Sequence, residues 1–213
     1  MQTGNIIKVK IEDLAYGGDG VGHIEDGLTV FIPGGVPGDR VKARVFKKKK
    51  NYLKAELTEI LSASSNRVDP SCEVYEKCGG CQWQHISYNL QLLQKKKIVK
   101  DSLERIGDLD NIKINKVIGS DFPWHYRNKA QFPFTRDEND NINTGFFSRG
   151  THEVIVNNNC LIQHQLINRI MRETLQVLND YDLTVYDEKT HQGLLRHLLI
   201  RVGVCTNQAL VTM

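Results

Sequence analysis

Three of the five cysteines, Cys72, Cys78 and Cys81, fall within ten residues as C-x5-C-x2-C, with Gly79-Gly80 between the last two. No export signal precedes them, so a disulfide framework is disfavoured and metal or cluster chemistry becomes the first expectation. The glycines permit the backbone conformations of a tight metal loop and keep side chains clear of a bulky group. A four-thiolate site then needs a distant partner, Cys160 or Cys205. A structural zinc site usually shows two paired knuckles. Only one is present here, with His85 available as a further ligand. An iron-sulfur cluster more often takes three ligands from one loop and a fourth from afar, which suits Cys72, Cys78, Cys81 and Cys160. For Cys205, inside an apolar alternating stretch, a buried small hydrophobe is the expectation.

The second chemical feature is charge. From Arg40 to Lys54 there are eight basic residues and no acidic one: Arg40, Lys42, Arg44, Lys47, Lys48, Lys49, Lys50 and Lys54. The whole chain carries only +3, so the local field matters more than the total. Such a run attracts phosphate without regard to sequence and in a salt-sensitive way; the competing reading is a solvated loop. Lys95, Lys96, Lys97 and Lys100 are expected on a solvated helix face. Tyr126-Arg127-Asn128-Lys129 combines a stacking surface with two cations, the chemistry an unstacked RNA base needs. Of Trp83, Trp124, Tyr126, Phe132 and Phe134, most read as packing residues, as alternating aromatics in a strand usually do. The glycines of Gly18-x-Gly20-x-Gly22 do not form a dinucleotide loop, because no helix follows them. Asp137 to Asn143 is not a calcium loop, since Ile142 stands at the glycine position and Ser148 at the acid position.

These residues need elements to hold them. With 213 residues, 40% hydrophobic and 25% charged, the chain has room for one or two globular domains and is not a disordered tract. Residues 1–61 read as five strands (Ile6 to Leu14, Gly20 to His23, Leu28 to Ile32, Arg40 to Phe46, Tyr52 to Leu61) punctuated by glycine and proline turns, the pattern of a small closed barrel. Residues 62–213 read as mixed α and β. One helix is expected from Ser87 to Ile106 with Leu92, Val99, Leu103 and Ile106 on its apolar stripe, and a second from Ile162 to Asn179. Strands are expected at Lys113 to Ile118, Tyr126 to Phe134, Thr144 to Phe147, Glu153 to Val156, Leu198 to Val204 and Gln208 to Met213. No apolar run reaches the ~18 residues of a membrane span, and no signal peptide is visible, so a cytoplasmic location and no membrane partner are expected. Oligomeric state is not encoded in any feature of the sequence.

The run Cys72 to His85, CEVYEKCGGCQWQH, resembles the cluster-binding segment of the bacterial RNA (uracil-5-)-methyltransferases. GGDGVG from Gly17 and FIPGGVPGDRV from Phe31 resemble the TRAM domain that opens many such enzymes, and YRNKAQFPF from Tyr126 and LLRHLLIR from Leu194 resemble their middle region. The resemblance implies a 4Fe-4S cluster held by Cys72, Cys78, Cys81 and Cys160, with Arg127 and Lys129 near the RNA. It further implies S-adenosylmethionine as methyl donor, and rRNA, or else tRNA, as substrate. A cysteine thiolate would add to carbon 6 of a flipped uracil before carbon 5 takes the methyl group. The fold class expected from it is α+β: a TRAM/OB-like β-barrel, then a mixed α/β iron-sulfur and RNA-binding domain, the C-terminal Rossmann-like methyltransferase domain being absent. On that reading the chain is an N-terminal portion, inactive alone, with its nucleophile and cofactor residues beyond position 213. The alternative from another class is a non-catalytic RNA-binding module with a structural zinc or iron-sulfur site. A radical methylthiotransferase would require C-x3-C-x2-C, which the spacing does not supply.

Overall fold

The computed structural model describes residues 2–213. They form two compact units: one runs to Ser71 and resumes over Gln82–Gly119, the other comprises Cys72–Cys81 and Ser120–Met213.

In the first unit, strands β1 (Ile6–Leu14), β2 (Gly20–His23), β3 (Thr29–Ile32), β4 (Arg40–Lys48) and β5 (Tyr52–Ser62) close into a barrel in the order β1-β2-β3-β5-β4. Each pairing is antiparallel except β3 with β5, which is parallel. The two-residue alternation of a strand sends Ile7, Val9, Ile11, Val30, Ile32, Val41, Ala43, Val45, Leu53 and Ala55 into one core. A Cβ on Gly22 would lie 2.3 Å from the Lys10 carbonyl oxygen, so only glycine lets β2 approach β1 there. Asp39 is fully buried beneath the barrel's long turn. Its carboxylate accepts from Arg67 at 2.5 Å, from the Val36 amide at 2.8 Å and from the Ser64 amide at 2.8 Å. Burial would raise this carboxyl; those hydrogen bonds outweigh it and hold Asp39 below its ordinary value. Beside it His85 is buried, and desolvation together with the Arg67 charge lowers the imidazole to about 4.

Helix α1 (Tyr88–Arg105) follows in the same unit, its N-terminus capped by Ser87, whose hydroxyl accepts from the Leu90 amide at 3.4 Å. Its bounds match expectation, but its apolar stripe does not. Val99 and Ile106 are exposed and Gln94 is the buried residue, because Leu14, Val36 and Ile86 pack against Leu90 and Trp83 near the start of the helix. The strand expected at Lys113 to Ile118 does not form; no strand lies between α1 and Lys129 among the described residues.

The second unit is a five-stranded antiparallel sheet, β10-β9-β6-β7-β8, built from β6 (Lys129–Arg136), β7 (Ile142–Phe147), β8 (Val154–Val156), β9 (His197–Gly203) and β10 (Gln208–Thr212). Helix α2 (Gln165–Asn179) lays Ile167, Met171, Leu175 and Leu178 against Phe132, Phe134, Leu198 and Ile200. It begins three residues later than the periodicity suggests, because Ile162 belongs to the turn before it and His164 caps it by accepting from the Leu166 amide at 3.2 Å. No helix among the described residues is long and apolar enough to cross a membrane.

Candidate cluster site and nucleic-acid face

All four expected ligands lie in the second unit. Residues 72–78 fold as a tight double turn, in which the Tyr75 amide donates to the Cys72 carbonyl at 3.0 Å and the Cys78 amide to the Val74 carbonyl at 2.8 Å. The loop then docks on the end of β7: Cys78 bridges Ser148, and the Gly79 amide donates to the Phe147 carbonyl at 2.9 Å. A side chain at position 79 would put its Cβ 2.7 Å from that carbonyl oxygen, so close approach is the reason for glycine here.

Cys160 arrives from the other side of the sequence. After β8, the Asn159 amide donates to the Asn157 side-chain oxygen at 3.0 Å, and the turn buries Cys160. The Asn168 side chain on α2 donates to the Cys160 carbonyl at 3.0 Å, which ties the turn to the helix. Asn157 Nδ2 reaches Cys72 Sγ at 3.9 Å, joining this turn to the 72–81 loop.

The electrostatics describe thiols that share one neighbourhood. Burial pushes the Cys78 thiol up; the Gly80 amide, donating to its sulfur at 3.4 Å, pulls it down, Cys81 and Cys72 push it up, and Arg127 pulls it down. Burial likewise raises Cys160, opposed by the Ile162 and Gln163 amides and by Arg127, with Cys81 again adding to the rise. Arg127 is fixed there by its backbone, which donates to the Ile162 carbonyl at 2.8 Å and accepts from the His164 amide at 2.9 Å. Gln163, fully buried, lies opposite Arg127, and neither polar atom of its side chain has a hydrogen-bond partner among the described residues. Asn157 and Gln163 are not visible as site residues in the sequence, since their relevance depends on chain segments that meet only in the fold.

Among the described residues no three His, Cys, Asp or Glu side chains form a group that could hold a single metal ion. The chemistry of the donor set nonetheless fits an iron-sulfur cluster: four thiols, amide hydrogens aimed at sulfur and one nearby cation. His85 takes no part in this set, being enclosed in the barrel unit beside Arg67 and Asp39. Cys205 is not buried in a strand as expected; it is exposed in the turn between β9 and β10.

The basic residues divide by environment. Arg40 and Arg44 project outward from β4, Lys42 is held by Glu59 at 2.7 Å, and Lys47 to Lys50 crowd the exposed β4–β5 turn. In the second unit Lys129 opens β6 directly opposite Arg201 of β9. Arg201 is a further cation that strand alternation alone could have flagged. Tyr126 is exposed, unlike Phe132 and Phe134, so it presents a ring to solvent rather than packing in the core.

A family model described as the TRAM domain matches residues 1–58, and the closed five-stranded barrel is that domain. Over 209 residues the chain is 40% identical to an uncharacterized RNA methyltransferase of Halalkalibacterium halodurans, covering 98% of this chain and 45% of the relative. It is likewise 40% identical over 210 residues to an uncharacterized RNA methyltransferase of Caldanaerobacter subterraneus subsp. tengcongensis, covering 99% of this chain and 46% of the relative. The chain thus spans somewhat under half the length of the curated relatives it matches. Among solved structures, the Pyrococcus abyssi tRNA (uracil-54, C5)-methyltransferase in complex with S-adenosyl-L-homocysteine shares the fold with a TM-score of 0.69 at 23% identity, over 96% of this chain and 44% of that one. This corrects the expected fold class. That expectation defines the chain partly by an absent Rossmann-like methyltransferase domain, yet 96% of it follows the fold of a methyltransferase, so both units are components of that architecture.

Proposed function

We propose that the chain acts in the S-adenosylmethionine-dependent methylation of uracil carbon 5 in RNA, forming 5-methyluridine in rRNA, with tRNA as the second candidate substrate. In this reading the TRAM barrel binds RNA through Arg40, Lys42, Arg44 and Lys47 to Lys50, and Arg127 and Lys129 hold RNA at the second unit. Cys72, Cys78, Cys81 and Cys160 carry a 4Fe-4S cluster, which when bound would cross-link the 72–81 loop to the turn before α2. The reaction belongs to a cytoplasmic RNA-processing enzyme. The observation that supports this most strongly is the conjunction in one chain of a TRAM barrel at residues 1–58 with mutually interacting thiols in the other unit, where Cys78 is influenced by Cys72 and Cys81, Cys160 by Cys81, and both Cys78 and Cys160 by Arg127. The residues assigned here bind and orient; S-adenosylmethionine supplies the methyl group, and no nucleophile is assigned. Disrupting the coding sequence in the source organism should remove 5-methyluridine from one position of rRNA or tRNA, read by mass spectrometry of nuclease digests. Unchanged 5-methyluridine in both RNA classes would overturn the assignment in favour of a non-catalytic RNA-binding module.

A further inference from the structure

The outer wall of the barrel carries aromatic rings that its core does not use. Side chains alternate along a strand, so the burial of Val30, Ile32, Leu53 and Ala55 turns Phe31, Tyr52 and Lys54 outward. In the parallel pairing of β3 with β5, Thr29 lies opposite Tyr52 and Phe31 opposite Lys54. The two rings meet edge to face, with centroids 5.5 Å apart and planes at 86°. Across β5, Lys54 stands opposite Lys47, and the Lys49 amide donates to the Tyr52 carbonyl at 2.9 Å, so the basic turn ends beside the rings. A third ring, Phe46, sits in the same β4 segment with half its surface exposed. Among the described residues Lys47, Lys49, Lys50 and Lys54 enter no ion pair.

A cross-strand aromatic pair also supports a sheet. Support alone, however, requires neither the outward side of a closed barrel nor a border of unpaired cations. Rings beside a basic track are what a protein needs to hold unpaired bases, because every base has a π-face and a duplex hides it.

We propose that Phe31 and Tyr52 form a stacking platform for the unpaired bases of a single-stranded RNA whose phosphates follow Lys47, Lys49, Lys50 and Lys54. This rests on the reading of the chain as RNA-binding and adds the form of RNA it takes: an unstacked strand, gripped by its bases as well as by its charge.

Fluorescence anisotropy of the 213-residue chain with a labelled twelve-nucleotide oligouridine and an abasic strand of the same length separates the two ideas. The oligouridine should bind about tenfold more tightly than the abasic strand, the size of one missing stack. The double variant Phe31→Leu, Tyr52→Leu should bind both strands equally and keep the wild-type salt slope, since its lysines are intact. The variant Tyr52→Trp should retain the preference. Equal binding of both strands by the wild type, or a preference that survives the double variant, would overturn the platform while leaving RNA binding in place. Failure of the wild type to bind either strand would overturn both. Should the double variant not fold, ultraviolet cross-linking of a 5-bromouridine strand to the wild type decides the matter. Adducts on the peptides holding Phe31 or Tyr52 support the platform, and adducts confined elsewhere contradict it.

Discussion

Two cysteines of contrasting environment make the sharpest comparison among single residues. Cys160 is buried in a turn anchored by Asn168 and receives amide hydrogens from Ile162 and Gln163, whereas Cys205 stands exposed in the β9–β10 turn. Cys160→Ala should therefore lose the bound iron, and Cys205→Ala should keep it; iron analysis of the two variants after anaerobic purification checks this, and the reverse pattern would move the fourth ligand to Cys205. In the barrel unit Asp39 and His85 are buried titratable residues displaced from their ordinary values. The folded state holds His85 neutral down to about 4, while the unfolded chain takes up a proton at about 6.5. The unfolded state thus binds more protons in that window, and stability falls as pH drops from about 6.5 to 4, by at most ~1.4 kcal/mol per pH unit. Asp39 is shifted in the same direction, in a lower pH window. Its lowered folded value means that its contribution is fully present above about 3.9 and disappears only as pH falls further. Urea unfolding at a series of pH values should show the first decline, and His85→Gln should flatten it; an unchanged midpoint between pH 7 and 4 in the wild type would contradict the buried neutral imidazole. Asp39→Ala leaves the Arg67 charge without its carboxylate and should cost about 3 kcal/mol.

Among the elements, the β4–β5 hairpin and the 72–81 loop carry the two proposed functions, which separate variants test. Replacing Lys47, Lys48, Lys49 and Lys50 with Ala should flatten the dependence of RNA affinity on salt, by ~0.7 in log-log slope for each phosphate of a single strand that is no longer neutralised. An unchanged slope would mean that these lysines are only solvated. Gly79→Ala drives a Cβ into the Phe147 carbonyl at 2.7 Å, so the loop should lift from β7 and lose iron while the circular dichroism of the rest is preserved. Iron retained at the wild-type level would show that the docking does not matter. The legibility of these elements in the sequence follows their physics. Barrel strands are readable because glycine and proline turns bound short alternating runs, and α2 because Ile167, Met171, Leu175 and Leu178 keep one face in the core. The buried side of α1 is not readable, since its packing begins at Leu90 and leaves Val99 and Ile106 in solvent. Lys113 to Ile118, expected as a strand, pairs with no strand among the described residues. Three cysteines announce the site by spacing alone, whereas Asn157, Gln163 and the approach of Gly79 to Phe147 arise only when distant segments meet.

For the molecule as a whole, the proposed function assigns RNA binding to the charged, ring-bearing barrel and a cluster to the thiol-bearing sheet unit. The proposed cluster would tie these observations together by joining the C-x5-C-x2-C loop to a cysteine almost eighty positions later. Iron and acid-labile sulfide per chain, measured on anaerobically purified protein with Mössbauer spectra of the same sample, test this directly. About four irons and four sulfides with the spectrum of a cubane are the predicted result, and stoichiometric zinc without iron would contradict it.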